Sequence, residues 1–267
     1  MSEELGAPDA ILRPRDAEPV IDVDRRLPAA DLAPYVHYHW YVGWHAVRPH
    51  RQQVVPQPRV HVAVEEHSGV PRLLVHGISR EPFFRTLTGV GHALGTAFHP
   101  GGFRPLLGGS VGALSGRVLP AADVLGVDDR SAAARILATE DVGETVAAME
   151  EYLRRVGARP DPLVGQVRDL VRQAEGDRSL TRAEQLADRA GTSLRSLQRL
   201  FTDYVGIGPK WVIARYRVLD ATAAAHSGEP VDWAALAAEL GYTDQAHLTR
   251  AFTAVVGTPP ATYARDA

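Results

Sequence analysis

Gly241-Tyr-Thr-Asp-Gln-Ala-His-Leu-Thr-Arg-Ala-Phe252, running on to Gly257-Thr-Pro-Pro260, is the stretch on which the fold turns. It reads as a glycine turn, a capped helix and a helix stop. Leu248, Phe252, Val255 and Val256 recur three to four residues apart and share one face. Gln245, Thr249 and Arg250 point elsewhere. Amide and guanidinium groups on an exposed helix face are suited to paired hydrogen bonds with base edges.

The same pattern occurs earlier in the chain. Leu186-Ala187 and Gly191 recur fifty positions on as Leu236-Ala237 and Gly241. After one inserted turn residue, Leu197, Arg199, Phe201, Thr202, Gly206 and Pro209 recur at plus 51 as Leu248, Arg250, Phe252, Thr253, Gly257 and Pro260. Each unit is a short helix, a glycine turn and a second helix, the helix-turn-helix layout. Thr181-Arg-Ala-Glu184 reads as a capping box opening a helix at Ala183–Ala190. Ser193 is expected to cap Leu194–Tyr204, and Asp232 to cap Trp233–Leu240. Pro209 suits the first turn of a helix running to His226, with Val212, Tyr216, Leu219 and Ala223 as a stripe packing on both units.

In the first unit Arg195, Gln198 and Arg199 lie at i, i+3 and i+4, flanked by Ser196. Arg grips guanine O6/N7 and Gln grips adenine N6/N7. In the second unit Gln245, Thr249 and Arg250 take the comparable part, with His247 at the rim, and Lys210 is placed for a phosphate. A solvated polar face is the bland alternative for each. It is weakest for Arg199 and Arg250, where one residue type recurs at equivalent places. Leu197, Phe201, Leu248 and Phe252 read as core.

Upstream the texture differs. Residues 1–30 are rich in Pro, Asp and Arg and read as a mobile leader with an edge strand. Tyr35–Val42 alternates, with Val36, Tyr38, Trp40 and Val42 on one face, and Arg59–Glu65 does the same. Gln52–Val55, Arg72–His76, Phe83–Leu87 and Thr96–His99 are further short β-prone runs bounded by Gly or Pro. Helical periodicity follows at Ala122–Leu125, Ser131–Ala138 and Val142–Val156. In the last, Val146, Met149, Leu153 and Val156 form an apolar stripe, with Glu150, Glu151, Arg154 and Arg155 opposite. Ala158-Arg-Pro-Asp-Pro162 is the linker. The expected fold is α+β: an antiparallel β-barrel with flanking helices over 31–158, then an all-α double helix-turn-helix domain over 159–267.

Bulk properties add exclusions more than assignments. The 267 residues hold 45% hydrophobic and 23% charged side chains and no cysteine, which closes thiol chemistry, Cys-ligated zinc and disulfides. No apolar run reaches the roughly eighteen residues of a membrane span, and the acidic N-terminus is no secretory signal. Net charge is -3, and from Asp161 onward 12 Lys+Arg face 13 Asp+Glu, so nucleic-acid binding rests on local charge placement.

The two units resemble the AraC/XylS family of bacterial transcription regulators over about 165–264. The first unit carries Ser-x-x-x-Leu-Gln-Arg-x-Phe, the second Gly-Tyr-x-Asp-Gln-Ala-His-x-x-Arg-x-Phe, and each is followed by Gly-x-x-Pro. In that family the residues matching Arg195, Gln198, Arg199, Gln245 and Arg250 contact bases or backbone. Ala246 departs from the pattern, since many relatives carry a larger polar residue there. Tyr35-Val-His-Tyr-His-Trp40 and Ala97-Phe-His-Pro-Gly-Gly-Phe-Arg-Pro105 are similar to an uncharacterised subgroup of cupin-like sensor domains.

The resemblance implies a cytoplasmic regulator, activator or repressor, with double-stranded promoter or operator DNA as partner and no membrane. A small-molecule effector, a homodimer mate and RNA polymerase are the further partners it admits. An effector pocket is expected at Trp40, His61 and Phe98, with barrel core as the alternative for Trp40 and Phe98. No cofactor, metal or catalytic residue is expected. The competing class is a cupin-type metal-dependent enzyme fused to a helical module without DNA binding. His37, His39, His61 and His99 raise that reading, but no acidic ligand stands at cupin spacing beside them. Gly89-Val-Gly-His-Ala-Leu-Gly95 looks like a phosphate loop, but its spacing is wrong and no helix pattern follows.

Overall fold

A computed structural model describes residues 19–67, 70–227 and 229–266. Residues 1–18 of the anticipated leader lie outside that range. The edge strand expected there is β1 (Ile21–Arg26). With β2 (Val36–Val54), β3 (His61–His67), β4 (Val70–His76), β5 (Phe83–Phe98) and β6 (Val118–Pro120) it forms one six-stranded antiparallel sheet, in the order β1-β2-β5-β3-β4-β6.

Four of the short runs read from the sequence merge into two long strands. Tyr35–Val42 and Gln52–Val55 fall on β2, while Phe83–Leu87 and Thr96–His99 fall on β5 and its end. The glycines between the latter pair are strand residues, not breakers. Gly91 pairs with Trp44 and Gly95 with Trp40 across the ladder. A Cβ added at Gly91 would lie 2.6 Å from the Trp44 ring, and one at Gly95 2.1 Å from the Trp40 ring. Each glycine is the floor on which an indole lies.

A bulge separates Val36 from Tyr38 in the β2–β5 ladder and interrupts the expected alternation. Val36's buried side continues as His39 and Tyr41, and Tyr38 and Trp40 face the other way. His39 is fully buried: its Nδ1 lies 2.8 Å from the Thr96 hydroxyl, and its Nε2 lies 3.4 Å from Glu150. Burial holds its pKa below the ordinary value despite that carboxylate, so the ring is neutral.

The chain then forms α1 (Arg104–Leu107), a 3-10 turn at Val111–Leu114, α2 (Ala121–Leu125), α3 (Arg130–Leu137) and α4 (Val142–Val156). Asp129, fully buried, pins the start of α3 to β4: it pairs with Arg72 at 2.9 Å and accepts from the Leu73 amide at 2.6 Å. On α4, Met149 and Leu153 are buried as expected, but Glu150 is buried too and leaves the polar face assigned to it. It accepts from the Ala29 amide at 2.7 Å and from Arg154 at 3.1 Å, so its charge is satisfied inside.

The rest is helical: α5 (Leu163–Gly176), α6 (Ala183–Arg189), α7 (Leu194–Tyr204), α8 (Pro209–His226), α9 (Trp233–Glu239), α10 (Gln245–Val256) and α11 (Pro260–Asp266). The capping box of α6 sits one residue later than read. Gln185, not Glu184, reaches back, accepting from the Arg182 and Thr181 amides at 2.9 and 3.0 Å. One apolar core runs from the sheet through α3, α4, α5 and α7 into the first half of α8. A second core holds the later half of α8, α9, α10 and α11, together with Val55, which follows β2.

Candidate nucleic-acid interface

Both helix-turn-helix units close the same way. Ser193 Oγ accepts from the Ser196 amide and starts α7; Asp244 Oδ1 accepts from the His247 amide at 2.7 Å and starts α10. Leu197 and Phe201 in α7, and Leu248 and Phe252 in α10, are fully buried, which fixes the opposite faces toward solvent. Those faces carry Arg195, Gln198 and Arg199 in one unit and Gln245, His247 and Arg250 in the other, all exposed, with Ala246 beside them. Ser196 and Thr249 are half-buried at the margins, and Lys210 is exposed at the start of α8.

What these side chains touch separates them from other polar residues of the chain. Among the described residues, Arg195, Gln198, Arg199, Lys210, Gln245, Thr249 and Arg250 make no side-chain hydrogen bond, ion pair or ring contact within the chain. Ser196 Oγ receives the Ser193 hydroxyl at 3.0 Å, and the His247 ring lies edge-on to Tyr242. By contrast Arg178 spans Glu239 at 2.8 Å and Asp220 at 3.5 Å, Arg189 holds Asp177 at 2.6 Å, and buried Arg217 bonds Asp220 and the Ala174 carbonyl. Arginines that build the domain are engaged; those on the two solvent faces are not.

The two units are held in a defined pose. Val212, Ile213 and Tyr216 of α8 pack in the first core and Val218, Ala221 and Ala225 in the second, with Leu219 between them. Ala223, expected in that stripe, is exposed. Gly241 sits against Thr181 of the first unit, where a Cβ would meet the threonine side chain at 2.1 Å. The sheet side touches both units. Ser115 Oγ donates to the Gly206 carbonyl, Gly112 lies against Thr202, and Gln53 reaches the Val255 carbonyl at 3.4 Å. Arg215, buried in α8, donates to the Arg80 carbonyl at 3.3 Å, and burial brings its pKa down to about 10. Arg178 and the Thr181–Gly241 contact carry no motif signal, because their partners come from α8 or from the other repeat.

Of the residues expected to line an effector pocket, Trp40 and His61 meet. The indole Nε1–H donates to His61 Nδ1 at 3.2 Å, and burial takes the His61 pKa down to about 3. Phe98 does not join them. It points to the opposite side of β5 and packs edge-on against Phe103 in the core, with ring centroids 4.9 Å apart. Among the described residues no group of three His, Cys, Asp or Glu is placed to hold a metal ion.

Residues 186–266 match a family model described as a helix-turn-helix domain, and residues 24–120 match one described as a domain of unknown function, DUF6597. The C-terminal region is an AraC-type helix-turn-helix domain. It makes the chain a DNA-binding transcription regulator, and such modules are in general not enzymes. A search of curated proteins gave no significant match. Two solved structures of ToxT from Vibrio cholerae are similar at 10% identity. One covers 92% of this chain and 97% of its own with a TM-score of 0.40, and a form bound to unsaturated fatty acid covers 92% and 94% with 0.39. At those values no ligand or mechanism transfers to this chain. Among the described residues no helix is long and apolar enough to cross a membrane.

Proposed function

We propose that this AraC-type regulator binds a specific duplex sequence through α7 and α10, set in successive major grooves about 34 Å apart. The observation that carries the reading is the pair of exposed faces whose Arg and Gln side chains have no partner inside the chain. Arg195, Gln198, Arg199, Gln245 and Arg250 are the base-reading candidates; Ser196, His247, Thr249 and Lys210 support or hold phosphates. Two unlike helices in one chain call for an asymmetric site. Ala246, where α7 has Arg195, leaves α7 the larger share of discrimination.

Residues 159–267 act in this reading as the DNA-binding domain, and 31–158 as a β-rich domain answering a small-molecule effector or joining two copies. The protein works in the cytoplasm without catalysis. The contacts from Ser115, Gly112 and Gln53 to both units support such coupling, since they give the sheet a hold on the pose of α7 and α10.

Selection of sites from random duplexes tests the reading. One asymmetric motif is expected. Arg199→Ala and Arg250→Ala should each relax it, by roughly 1–3 kcal/mol per lost base contact, at positions one helical turn apart. No enriched motif at low salt, or both changes relaxing the same position, removes the two-groove reading.

A further inference from the structure

Between the sheet and α5 lies a concentration of positive charge that the carboxylates beside it neutralise only in part. Arg25 (β1), Arg59 (before β3), and Arg168 and Arg172 (α5) gather around His37 and His99. The two imidazoles lie 4.8 Å apart, and Arg59 Nη1 donates to His37 Nδ1. Carboxylates balance only part of this: Glu175 stands 3.9 Å from Arg59, and Asp169 is 3.3 Å from Arg172. Among the described residues Arg25 and Arg168 have no ion-pair partner, and the Arg25 guanidinium lies over the Tyr38 ring.

Arg59 is only 8% exposed, and its Nε has no hydrogen-bond partner; the buried Nε atoms of Arg25 and Arg168 have none either. Buried guanidinium donors left unpaired are costly, and Arg25 and Arg59 beside His37, with Arg168 and Arg59 beside His99, call for an acceptor from outside the chain. Burial first, and the neighbouring arginines after it, hold His37 and His99 neutral, with pKa values of about 3 and about 4. A cavity of about 440 Å³, lined by Pro34, Tyr35, Pro160 and the Asp161 carboxylate among others, adjoins the cluster at Arg168 and offers room for the body of a ligand.

We infer that Arg25, Arg59, Arg168 and Arg172, with His37 and His99, form a binding site for a small oxyanion, a carboxylate or phosphate group, between the sheet and α5. The planar guanidinium fork fits either group in paired fashion. An anion held there ties the strand residues to the helix that leads into the first helix-turn-helix unit. Its use as a regulatory signal rests on the effector-responsive reading above; the site itself does not.

Thermal unfolding of the full chain without DNA tests it, so a failure here is separate from a failure to bind DNA. Malonate and inorganic phosphate serve as probes against sodium chloride at matched ionic strength. One probe at least is expected to raise Tm with saturation in the millimolar range, beyond the chloride effect. Response to malonate alone assigns a carboxylate, and response to phosphate alone a phosphate ester. Arg168→Gln, at a half-buried position, should weaken the response tenfold or more while melting no lower than the parent in chloride, because it removes like-charge repulsion. Arg172→Gln, at an exposed position, should weaken it less. A shift no larger than chloride's for both probes, or one undiminished in Arg168→Gln, overturns the site.

Discussion

At the scale of single residues, the sheet depends on side chains that are absent. Gly95 has ordinary extended backbone, so its requirement is one of space: the Trp40 ring occupies the place of a Cβ, and that ring is held by its bond to His61. Gly95→Ala should therefore act as overpacking and cost about 1–3 kcal/mol. In the Trp40→Val background the same change should cost little, since the obstructing ring is gone. Urea unfolding of the four proteins in that cycle measures the coupling; equal costs in both backgrounds would show that the ring is not the reason for the glycine. Glu150 illustrates the same dependence on distant partners. Helical periodicity places it opposite the apolar stripe, but the Ala29 amide, 121 residues away, takes it inside.

Among the elements, the paired units show how one motif position differs in its two copies. Gly191 and Gly241 end equivalent first helices with φ of +59° and +76°. An alanine at Gly191 meets nothing within 4 Å, so Gly191→Ala should cost only the left-handed backbone term, roughly 1–2 kcal/mol. Gly241→Ala carries the same term plus a clash with Thr181, and should cost clearly more in equilibrium unfolding. Equal losses would mean that the contact between the units yields freely. The helices were readable in the sequence because their signals are local: Ser193, Pro209 and Asp232 start α7, α8 and α9 at the positions their chemistry dictates. The exposed faces of α7 and α10 were readable for the same reason, once Leu197, Phe201, Leu248 and Phe252 were set as core. The long strands were not, because Gly91 and Gly95 look like breakers until Trp44 and Trp40 are paired with them. Nor was the oxyanion cluster, whose members are scattered from Arg25 to Arg172 and share no periodicity.

For the whole molecule, the continuous core from sheet to first unit makes the β-rich part and half of the helix-turn-helix region one packed body, with the second unit attached through α8, Val55 and Gln53. Its stability should carry the signature of neutral buried histidines. His61 and His37 have pKa values near about 3, His76 and His99 about 4, and His39 is also lowered; burial is the first cause in each. Below the ordinary histidine value of about 6.5 the unfolded chain takes up protons that the folded chain refuses until it reaches those lower values. Unfolding free energy should therefore be undiminished above about pH 6.5 and fall as pH drops toward 4, by up to roughly 1.4 kcal/mol per pH unit for each histidine. Asp177, lowered to about 2 by Ser179 and Arg189, loses its contribution only at lower pH, below the ordinary carboxylate value. Denaturant titrations between pH 7 and 5 in chloride buffer report chiefly the imidazoles, with Asp220, whose carboxyl pKa burial raises, acting in the opposite sense. A slope of more than one proton is expected, reduced by about one in a folded His61→Gln variant; a flat profile over that range would contradict neutral burial of the group. Malonate or phosphate bound at the Arg25–Arg172 cluster should partly flatten the profile, because an anion beside His37 and His99 offsets the arginine charge that adds to burial in keeping them neutral.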